Sequence, residues 1–343
     1  MPSTYDSVVV PTYDDDMAEA LTPAQQQVLA VLGANASDRP QFPADLAQQL
    51  RDAIESTLAP IQNELSADNP MFLSKHDLAM IHACEARALF EKNADFEWTP
   101  AIAKGSVAHK AIELSMHWPG DTSPLELVDI AIERLRQTEK SLGLWLDSCS
   151  DLELAEVRAL ANERVVTFSE CFPPLKKQWR PATEARLRTE LLDGKIILSG
   201  RTDISLGKAN GQTAGKVIID LKTGRPSPTH LDDLRFYALI ETLRLGVPPR
   251  RVASYYLDSA LPQAEDVTVD VLFAAAHRTA DGIIKIHQLT IGERAPTVKP
   301  SYGCTWCQLV DECAAGQQFL GTQQDENPFS SEDDSATATA DTF

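Results

Sequence analysis

Two short stretches decide the fold of this chain: Ser199-Gly-Arg-Thr-Asp203 and Ile218-Ile-Asp-Leu-Lys-Thr-Gly224. In the second stretch, the apolar run that begins at Val217 ends in Asp220 and Lys222. This pattern is typical of a buried strand whose last residues reach solvent. Because successive side chains of a strand alternate between its faces, Asp220 and Lys222 are predicted to share one face.

The first stretch lies one hairpin upstream. Residues 195–206 have the alternation of a strand, and the Gly- and Asn-rich run 207–215 predicts the turn that returns the chain to the second stretch. Such a hairpin places Asp203 beside Asp220. The turn is not a Gly-rich phosphate-binding loop. The glycines of the turn have the wrong spacing, and Val217 follows Lys216 at the place where a phosphate-binding loop needs Ser or Thr.

Two adjacent carboxylates repel one another unless a cation lies between them. Mg²⁺ and Mn²⁺ prefer oxygen ligands, and Mg²⁺ commonly binds through one or two carboxylates together with substrate phosphate. Lys222 adds a positive charge that can orient an attacking water molecule. The hairpin therefore predicts metal-assisted phosphodiester hydrolysis. For the Asp-Leu-Lys-Thr-Gly run alone, the alternative is a surface hairpin with an ordinary Asp/Lys pair.

With these motifs the chain resembles the RecB-type branch of the PD-(D/E)XK nuclease superfamily. That branch has Gly-x-x-Asp, then Asp/Glu-x-Lys-Thr-Gly, then a helix carrying Gln-x-x-x-Tyr. The third element corresponds here to Asp233-Leu-Arg-Phe-Tyr237, on a helix predicted from about Thr229 to Leu245, with Asp233 in place of the usual Gln. The resemblance implies an α/β fold with a restriction-endonuclease-like (PD-(D/E)XK) core.

The resemblance extends to residues outside the hairpin. Lys104-Gly-Ser-Val-Ala-His109 is similar to the Gly-Thr-x-x-His helix of this branch, whose histidine binds the catalytic metal. Glu113, one turn later, is expected to orient that imidazole or the water. Glu184 matches a glutamate that precedes Gly-x-x-Asp and is expected near the metal.

The family pattern implies a complete site. The implied ligands of Mg²⁺ or Mn²⁺ are His109, Asp203, Asp220 and the carbonyl of Leu221. The implied catalytic residues are Asp203, Asp220, Lys222, Glu184 and Tyr237. Lys222 would activate or position water, and Tyr237 would contact the substrate backbone together with nearby arginines.

Cysteines form a second pattern. Cys304, Cys307 and Cys313 have the spacing C-x2-C-x5-C, and Cys84, on a helix that Ser74 can cap, can supply a fourth thiolate. Four thiolates satisfy either zinc or an iron-sulfur cluster, and a disulfide framework is the weaker interpretation in a cytoplasmic protein. The arrangement resembles the 4Fe-4S staple of the AddB and CRISPR-associated exonucleases, which implies a 4Fe-4S cluster that joins the two ends of the domain.

Charge and hydropathy limit the function classes. The formal net charge of −19 argues against a generally basic nucleic-acid binder, so positive charge must be concentrated locally. No apolar run approaches the roughly 20 residues of a membrane span, and the sequence starts without the features of a signal peptide, which favours a cytoplasmic protein with no membrane contact. Basic residues that could line a DNA channel are Lys176, Lys177, Arg180, Arg186, Arg188, Arg201, Arg225, Arg250 and Arg251.

A chain of 343 residues with 43% apolar content can bury a core in one elaborated domain or two. The predicted organisation is a disordered acidic tail at 1–20, a helical region at 21–70, a RecB-like nuclease domain at 71–320 and a second disordered acidic tail at 321–343. Within the nuclease domain the predicted parts are a helical insertion at about 121–180, a catalytic core at about 181–298 and the cysteine cluster at 299–316.

The predicted function is a metal-dependent DNA nuclease, with exonuclease action on single strands or duplex ends as the favoured form. DNA is the implied partner, a helicase or recombination protein is a further one, and the sequence does not indicate the oligomeric state. The alternatives are a catalytically silent DNA-end-binding protein with the same fold and a zinc-bound scaffold in which the cysteines are the function.

Overall fold

The structure is a computed structural model that describes residues 21–94, 96–117 and 122–326. The predicted tail at 1–20 lies outside these residues, as does the part of the predicted C-terminal tail that follows Glu326. The helices are α1 (Pro23–Leu32), α2 (Leu46–Leu58), α3 (Lys75–Ala83), α4 (Glu85–Asn93), α5 (Pro100–His117), α6 (Pro124–Thr138), α7 (Lys140–Ser148), α8 (Asp151–Cys171), α9 (Thr229–Leu245), α10 (Val269–Thr290) and α11 (Ala314–Glu326). Short 3-10 turns cover Ala36–Asp38, Lys177–Trp179, Tyr302–Trp306 and Val310–Glu312.

A mixed sheet forms the centre of the fold. Its strands are β1 (Met71–Leu73), β2 (Ala182–Leu191), β3 (Ile196–Leu206), β4 (Val217–Lys222), β5 (Arg251–Tyr256) and β6 (Leu261–Asp266). The order is β1-β3-β4-β5-β6, and β2 pairs with β3 as well. β1 runs parallel to β3 and β4 runs parallel to β5, whereas the β2–β3, β3–β4 and β5–β6 pairs are antiparallel.

Helices cover both faces of the sheet, and β4 shows why. All of its residues from Val217 to Leu221 are buried, as expected of a strand packed on two sides. Ile218 belongs to a core with α2, α9 and α10, whereas Ile219 and Leu221 belong to a second core with α5, α6 and α8. The alternating apolar side chains therefore fill two layers at once.

The region 122–180 is helical, as the apolar spacing predicts. Helices α6 and α8 pack against α5, and α7 packs against α6. Within the described ranges, no helix is both long and apolar enough to cross a membrane.

Several element boundaries confirm the sequence analysis and others correct it. The alternation of Ala182–Leu191 predicts a strand, and the strand has these ends; the helix at 229–245 also has its predicted ends. The run Asp266-Val-Thr-Val-Asp-Val271 predicts a further strand, and this prediction is wrong. Thr268 caps α10 by accepting a hydrogen bond from the amide of Val271, and the strand ends at Asp266. The helix that carries His109 begins at Pro100 and not near residue 104.

Two further predictions are corrected near the cysteines. Ser74 caps α3 as predicted, but α3 ends at Ala83, and Cys84 is an extended residue between α3 and α4. Helix α11 runs to Glu326, so the first six residues of the predicted C-terminal tail are helical.

Candidate active site

The site lies where two strands share one edge of β3. β2 pairs along the other edge of β3, whereas β1 pairs with residues 196–198 and β4 with residues 204–206. Because β1 and β4 occupy the two ends of the same edge, the edge between them is open to side chains. Asp203 lies at this opening, directly before the β3–β4 ladder.

Asp203 and Asp220 meet across the end of that ladder. Ile204 pairs with Ile219, and the next residues outward are Asp203 on β3 and Asp220 on β4. The Asp203 carboxylate accepts a hydrogen bond of 2.6 Å at Oδ2 from the amide of Leu221. The hairpin therefore brings the two aspartates together, as the sequence predicts.

Two lysines neutralise Asp220, which is only 2% exposed. Lys75 Nζ lies 2.9 Å from Asp220 Oδ1, and Lys222 Nζ lies 2.7 Å from Asp220 Oδ2. Burial by itself would raise the pKa of Asp220, but the two ammonium groups outweigh it and lower the pKa to about 2. The same carboxylate raises the pKa of Lys75 against the effect of its burial.

His109, on the buried face of α5, contacts the second aspartate. Its Nδ1 lies 3.2 Å from Asp203 Oδ1. Burial lowers the pKa of the imidazole, but the nearby carboxylates of Asp203, Asp220 and Glu184 outweigh this effect and the pKa is raised. The acidic centre therefore favours a positively charged group at this position.

Glu184 lies opposite Asp203 on β2, between the pairs Thr183–Ile204 and Ala185–Thr202. Its backbone has φ of 50°, the left-handed region that side-chain-bearing residues rarely adopt. The carboxylate forms an ion pair of 2.8 Å with Arg201, and burial raises its pKa while Arg201 opposes this change. The distorted strand thus places a third carboxylate beside the two aspartates.

A cleft of about 460 Å³ opens on the His109 side of the site. Its lining includes His109, Glu184 and Asp203 from the site, together with Arg201 and with residues of α6 and α7 such as Leu135 and Leu142. The helical region that follows α5 therefore forms one wall of the space next to the carboxylates.

Helix α9 contributes Asp233 and Tyr237, one turn apart. Asp233 Oδ2 lies 3.2 Å from Lys222 Nζ, so the aspartate that replaces the usual Gln holds the motif lysine. Tyr237 is 2% exposed, and Lys75 Nζ lies 5.0 Å from the centre of its ring. Burial raises the pKa of Tyr237.

The described contacts of three further residues go to partners outside the metal site. Glu113 forms an ion pair of 2.6 Å with Lys110 and makes no hydrogen bond to His109 among the described contacts. Arg250 and Arg251 donate to the carbonyls of Leu32 and Val31, so they hold the end of α1 and do not line the active-site cleft.

The four cysteines of the second pattern line one small cavity of about 40 Å³. All of them are free thiols. The amide of Ser301 donates to Cys304 Sγ and the amide of Gly316 donates to Cys313 Sγ, each at 3.4 Å. Cys313 lies directly before α11 and not on it. The fold therefore brings Cys84 to the C-terminal cysteines, as the sequence predicts.

A buried ion pair ties the Cys84 segment to the chain that leads to these cysteines. Arg294 donates to both oxygens of Glu85, at 2.6 and 2.8 Å, and the amide of Thr297 donates to Glu85 at 2.8 Å. The hydrogen bonds from Arg294 outweigh the burial of the carboxyl and lower the pKa of Glu85 to about 2. Glu85 therefore fastens the two segments together.

Comparison with protein families gives one decisive match. The model of the PD-(D/E)XK nuclease superfamily matches residues 73–314, which is more than half of the chain and includes every site residue described above. The chain belongs to the PD-(D/E)XK nuclease superfamily.

Two solved structures are similar to this superfamily member. A protein from Eubacterium rectale described as a "putative exonuclease" is 14% identical, covers 72% of this chain and 88% of its own, and has a TM-score of 0.43. The protein SSO0001 is 14% identical, covers 78% of this chain and 97% of its own, and has a TM-score of 0.34. A comparison with the sequences of curated proteins gives no match.

The residue types of this PD-(D/E)XK site fit a divalent metal, although they contact one another in this structure. Among residues 21–94, 96–117 and 122–326, no group of three or more His, Cys, Asp or Glu side chains is arranged to hold a metal ion. Asp220 Oδ2 is buried and its one described contact is the ion pair of 2.7 Å with Lys222, so one of its two lone pairs remains unused. An oxygen acceptor with unused capacity next to an imidazole and a second carboxylate suits Mg²⁺ or Mn²⁺.

Two glycines of the superfamily motifs are explained by close approach. A Cβ at Gly105 would lie 2.9 Å from Thr223 Oγ1, so glycine lets α5 approach the Lys222-Thr-Gly turn. A Cβ at Gly200 would lie 2.4 Å from Tyr237 Cε1. Both positions therefore bring site-bearing elements together.

The sequence analysis of this PD-(D/E)XK chain missed Lys75. Its partner Asp220 is 145 residues away in sequence, so no local spacing signals the contact. The one signal in the sequence is that Lys75 is the first residue of a helix, directly after the short strand β1 and the helix-capping Ser74. That strand ends beside β3, which delivers the first residue of α3 to the opening.

Proposed function

We propose that this chain is a metal-dependent DNA nuclease that acts as an exonuclease on single-stranded DNA or duplex ends. The observation that carries the proposal is the joining of Asp203, Asp220 and Lys222 at the end of the β3–β4 ladder, with His109 hydrogen-bonded to Asp203. The match to the nuclease superfamily over residues 73–314 supports the same chemistry.

The residues that would hold Mg²⁺ or Mn²⁺ are His109, Asp203, Asp220 and the carbonyl of Leu221. When bound, the metal supplies charge stabilisation for the phosphoryl group and a more acidic water. The carboxylates that raise the pKa of His109 would also attract a divalent cation to the same place.

The other residues have separate proposed roles. Lys222, fixed between Asp220 and Asp233, orients the attacking water molecule. Glu184 adds negative charge beside the imidazole, and its partner Arg201 is 57% exposed and free to meet a phosphate. Tyr237 is buried, so its proposed contact with substrate requires DNA to reach the ring edge past Lys75.

A cleavage assay tests the active site. The parent chain with Mn²⁺ should degrade end-labelled linear single strands and leave circular single strands intact, because a circle has no end. Lys222→Ala should abolish cleavage, whereas Lys92→Ala, at an exposed lysine of α4 that does not line the cleft, should leave the rate unchanged. Retained cleavage in Lys222→Ala would overturn the assignment of this lysine, and cleavage of circles would overturn the exonuclease assignment.

We propose in addition that Cys84, Cys304, Cys307 and Cys313 hold a 4Fe-4S cluster that places the chain in the iron-sulfur branch of RecB-type nucleases. Their shared cavity and the two amide hydrogen bonds to sulfur support this proposal, since such hydrogen bonds stabilise ligating thiolates. The cluster would join the Cys84 segment to the C-terminal segment.

Anaerobic purification followed by a visible spectrum and by iron and sulfide analysis tests the cluster. Broad absorption near roughly 400 nm with about four irons per chain is the expected result. A colourless protein with stoichiometric zinc would overturn the cluster and leave the nuclease site standing. Lys222→Ala should retain the parent spectrum, because the lysine lies outside the cysteine cavity.

A further inference from the structure

A second cavity, of about 360 Å³, lies between the end of α1 and the β3–β4 hairpin. Its lining includes Leu29 and Leu32 of α1 and the hairpin residues that follow Leu206. Leu206 pairs with Val217, three residues along the ladder from Asp203 and Asp220, which is roughly 10 Å at 3.3 Å per residue. This cavity, called the basic cavity below, is therefore separate from the active-site cleft.

Four cations line the basic cavity: Arg39, Arg180, Lys208 and Arg250. Its lining contains no Asp or Glu. The chain has 50 acidic residues and a formal net charge of −19. Its composition therefore does not lead one to expect four cations around a cavity without any acidic residue. Among the described contacts, the side chains of Arg39, Arg180 and Lys208 have no acidic partner. The charge in this cavity is consequently available to an anion.

Two of the guanidinium groups have buried donors without acceptors. Arg250 is 7% exposed, and it donates to the carbonyl of Leu32 through Nη2, but its Nε is buried without a hydrogen-bond partner. The Nε of Arg39 is buried and unpartnered as well. A buried donor left without an acceptor is costly, and most such groups in native proteins are satisfied by a ligand, water or protein atom. Both donors therefore indicate that an acceptor belongs here.

The electrostatics of Arg250 lead to the same conclusion. Burial, followed by repulsion from Arg251 and Arg39, lowers the pKa of Arg250 to about 10, and Asp266 opposes this only in part. Like charges held together in a desolvated place are stabilised by an anion that binds between them.

The remaining lining is apolar and aromatic. Trp179 presents a half-buried indole beside Arg180, and Leu29 and Leu32 of α1 line the cavity as well. A volume of about 360 Å³ is within the range of small-molecule sites. Arginine recognises phosphate oxygens, and an indole stacks on a flat ring.

We propose that the basic cavity binds a small phosphate ester that carries a flat ring, with a mononucleotide as the matching chemical class. The phosphate accepts hydrogen bonds from Arg39 and Arg250, and the ring packs on Trp179. The same chemistry is present in a free nucleotide and at the terminus of a DNA strand. The inference does not rest on the nuclease activity proposed above.

Isothermal titration calorimetry on the full chain, in EDTA, tests the site with dAMP and with inorganic phosphate as probes. We expect dAMP to bind with one site per chain and more tightly than phosphate alone. Arg39→Gln and Lys208→Gln, which lie on two different loops, should each weaken dAMP binding at least tenfold. Lys140→Gln, which removes the same charge from an exposed site on α7, should bind as the parent does.

Two controls separate the possible results. Asp220→Asn should bind dAMP like the parent, because Asp220 lies outside the basic cavity. Displacement of dAMP by a 5′-phosphorylated oligonucleotide, and not by the unphosphorylated one, would assign the cavity to a strand terminus; no displacement would assign it to the free nucleotide. Absence of dAMP binding, or equal weakening by Lys140→Gln, would overturn the proposal.

Discussion

The ring of Tyr237 occupies the space that a side chain at position 200 would need. A Cβ on Gly200 would lie 2.4 Å from Tyr237 Cε1, well inside contact distance. The same ring lies beneath Lys75, which is ion-paired to Asp220. The packing of α9 on β3 is therefore coupled to the position of the charges at the active site.

Gly200→Ala should destabilise the fold by about 1–3 kcal/mol, because the new methyl group overpacks the α9–β3 contact. The free energy of unfolding in urea measures this. In a Tyr237→Ala background the added methyl group should cost far less, which a double-mutant cycle detects as a coupling energy. Gly321→Ala, with open space around it on α11, serves as the control and should leave stability unchanged or slightly raised, because alanine is the better helix former. Equal costs at 200 and 321 would contradict the packing argument.

Lys75→Met should raise the pKa of Asp220 from its value of about 2, because the charge of Lys75 is the largest single cause that lowers it. Lys222→Met should also raise this pKa, because Lys222 lowers it by its charge and by a hydrogen bond. Titration of the Asp220 carboxyl carbon by NMR measures both shifts. The loss of either ammonium group leaves a buried carboxylate less compensated, so both variants should also unfold at lower urea concentration. An unchanged Asp220 pKa in Lys75→Met would show that the 2.9 Å pair does not persist in solution.

Asp233→Asn should slow single-turnover cleavage by about tenfold or less, whereas Lys222→Ala should abolish it. The reason is that Asp233 positions the ammonium group of Lys222 at 3.2 Å and does not itself meet the reacting atoms. Asp233→Gln, which restores the side chain usual in the resembling family, should retain more activity than Asp233→Ala. If Asp233→Ala cleaves as fast as the parent, the aspartate has no positioning role.

Glu85→Gln should lower the free energy of unfolding by about 2 kcal/mol at pH 7, because it leaves Arg294 without its charged partner. The pKa of Glu85 is lowered from 4.5 to about 2, so the carboxylate stabilises the folded state above about pH 4.5 and loses this effect as the pH falls through about 2. The difference between parent and variant should consequently shrink across that interval. Urea unfolding at several pH values measures it, and hydrogen exchange of residues 297–313 should rise in the variant alone.

Local signals in the sequence predicted those parts of the fold whose causes are local. Helix α9 begins after Pro228 and ends before Gly246, and its predicted bounds agree with the structure. The alternation of β3 and the Gly-rich turn predict the β3–β4 hairpin, and this hairpin brings Asp203 and Asp220 together. His109 lies beside Asp203 as the motif pattern implied.

What could not be predicted depends on contacts between distant residues or on competition between local signals. Lys75 reaches Asp220 only because β1 ends beside β3, which no spacing in the sequence encodes. Residues 266–271 have the β-branched side chains of a strand, but the capping hydrogen bond of Thr268 starts a helix there. The pairing of Glu85 with Arg294 likewise spans 209 residues.

The left-handed backbone of Glu184 lowers the stability of the fold, whereas its side chain supplies a carboxylate to the site. A residue with a side chain in this conformation is strained by roughly 1 kcal/mol or more, whereas glycine adopts it freely. A selection for thermal resistance alone would therefore favour Glu184→Gly, and the variants it enriched would lack the third carboxylate beside Asp203. Selection for heat tolerance and selection for the proposed nuclease activity should therefore enrich different residues at position 184.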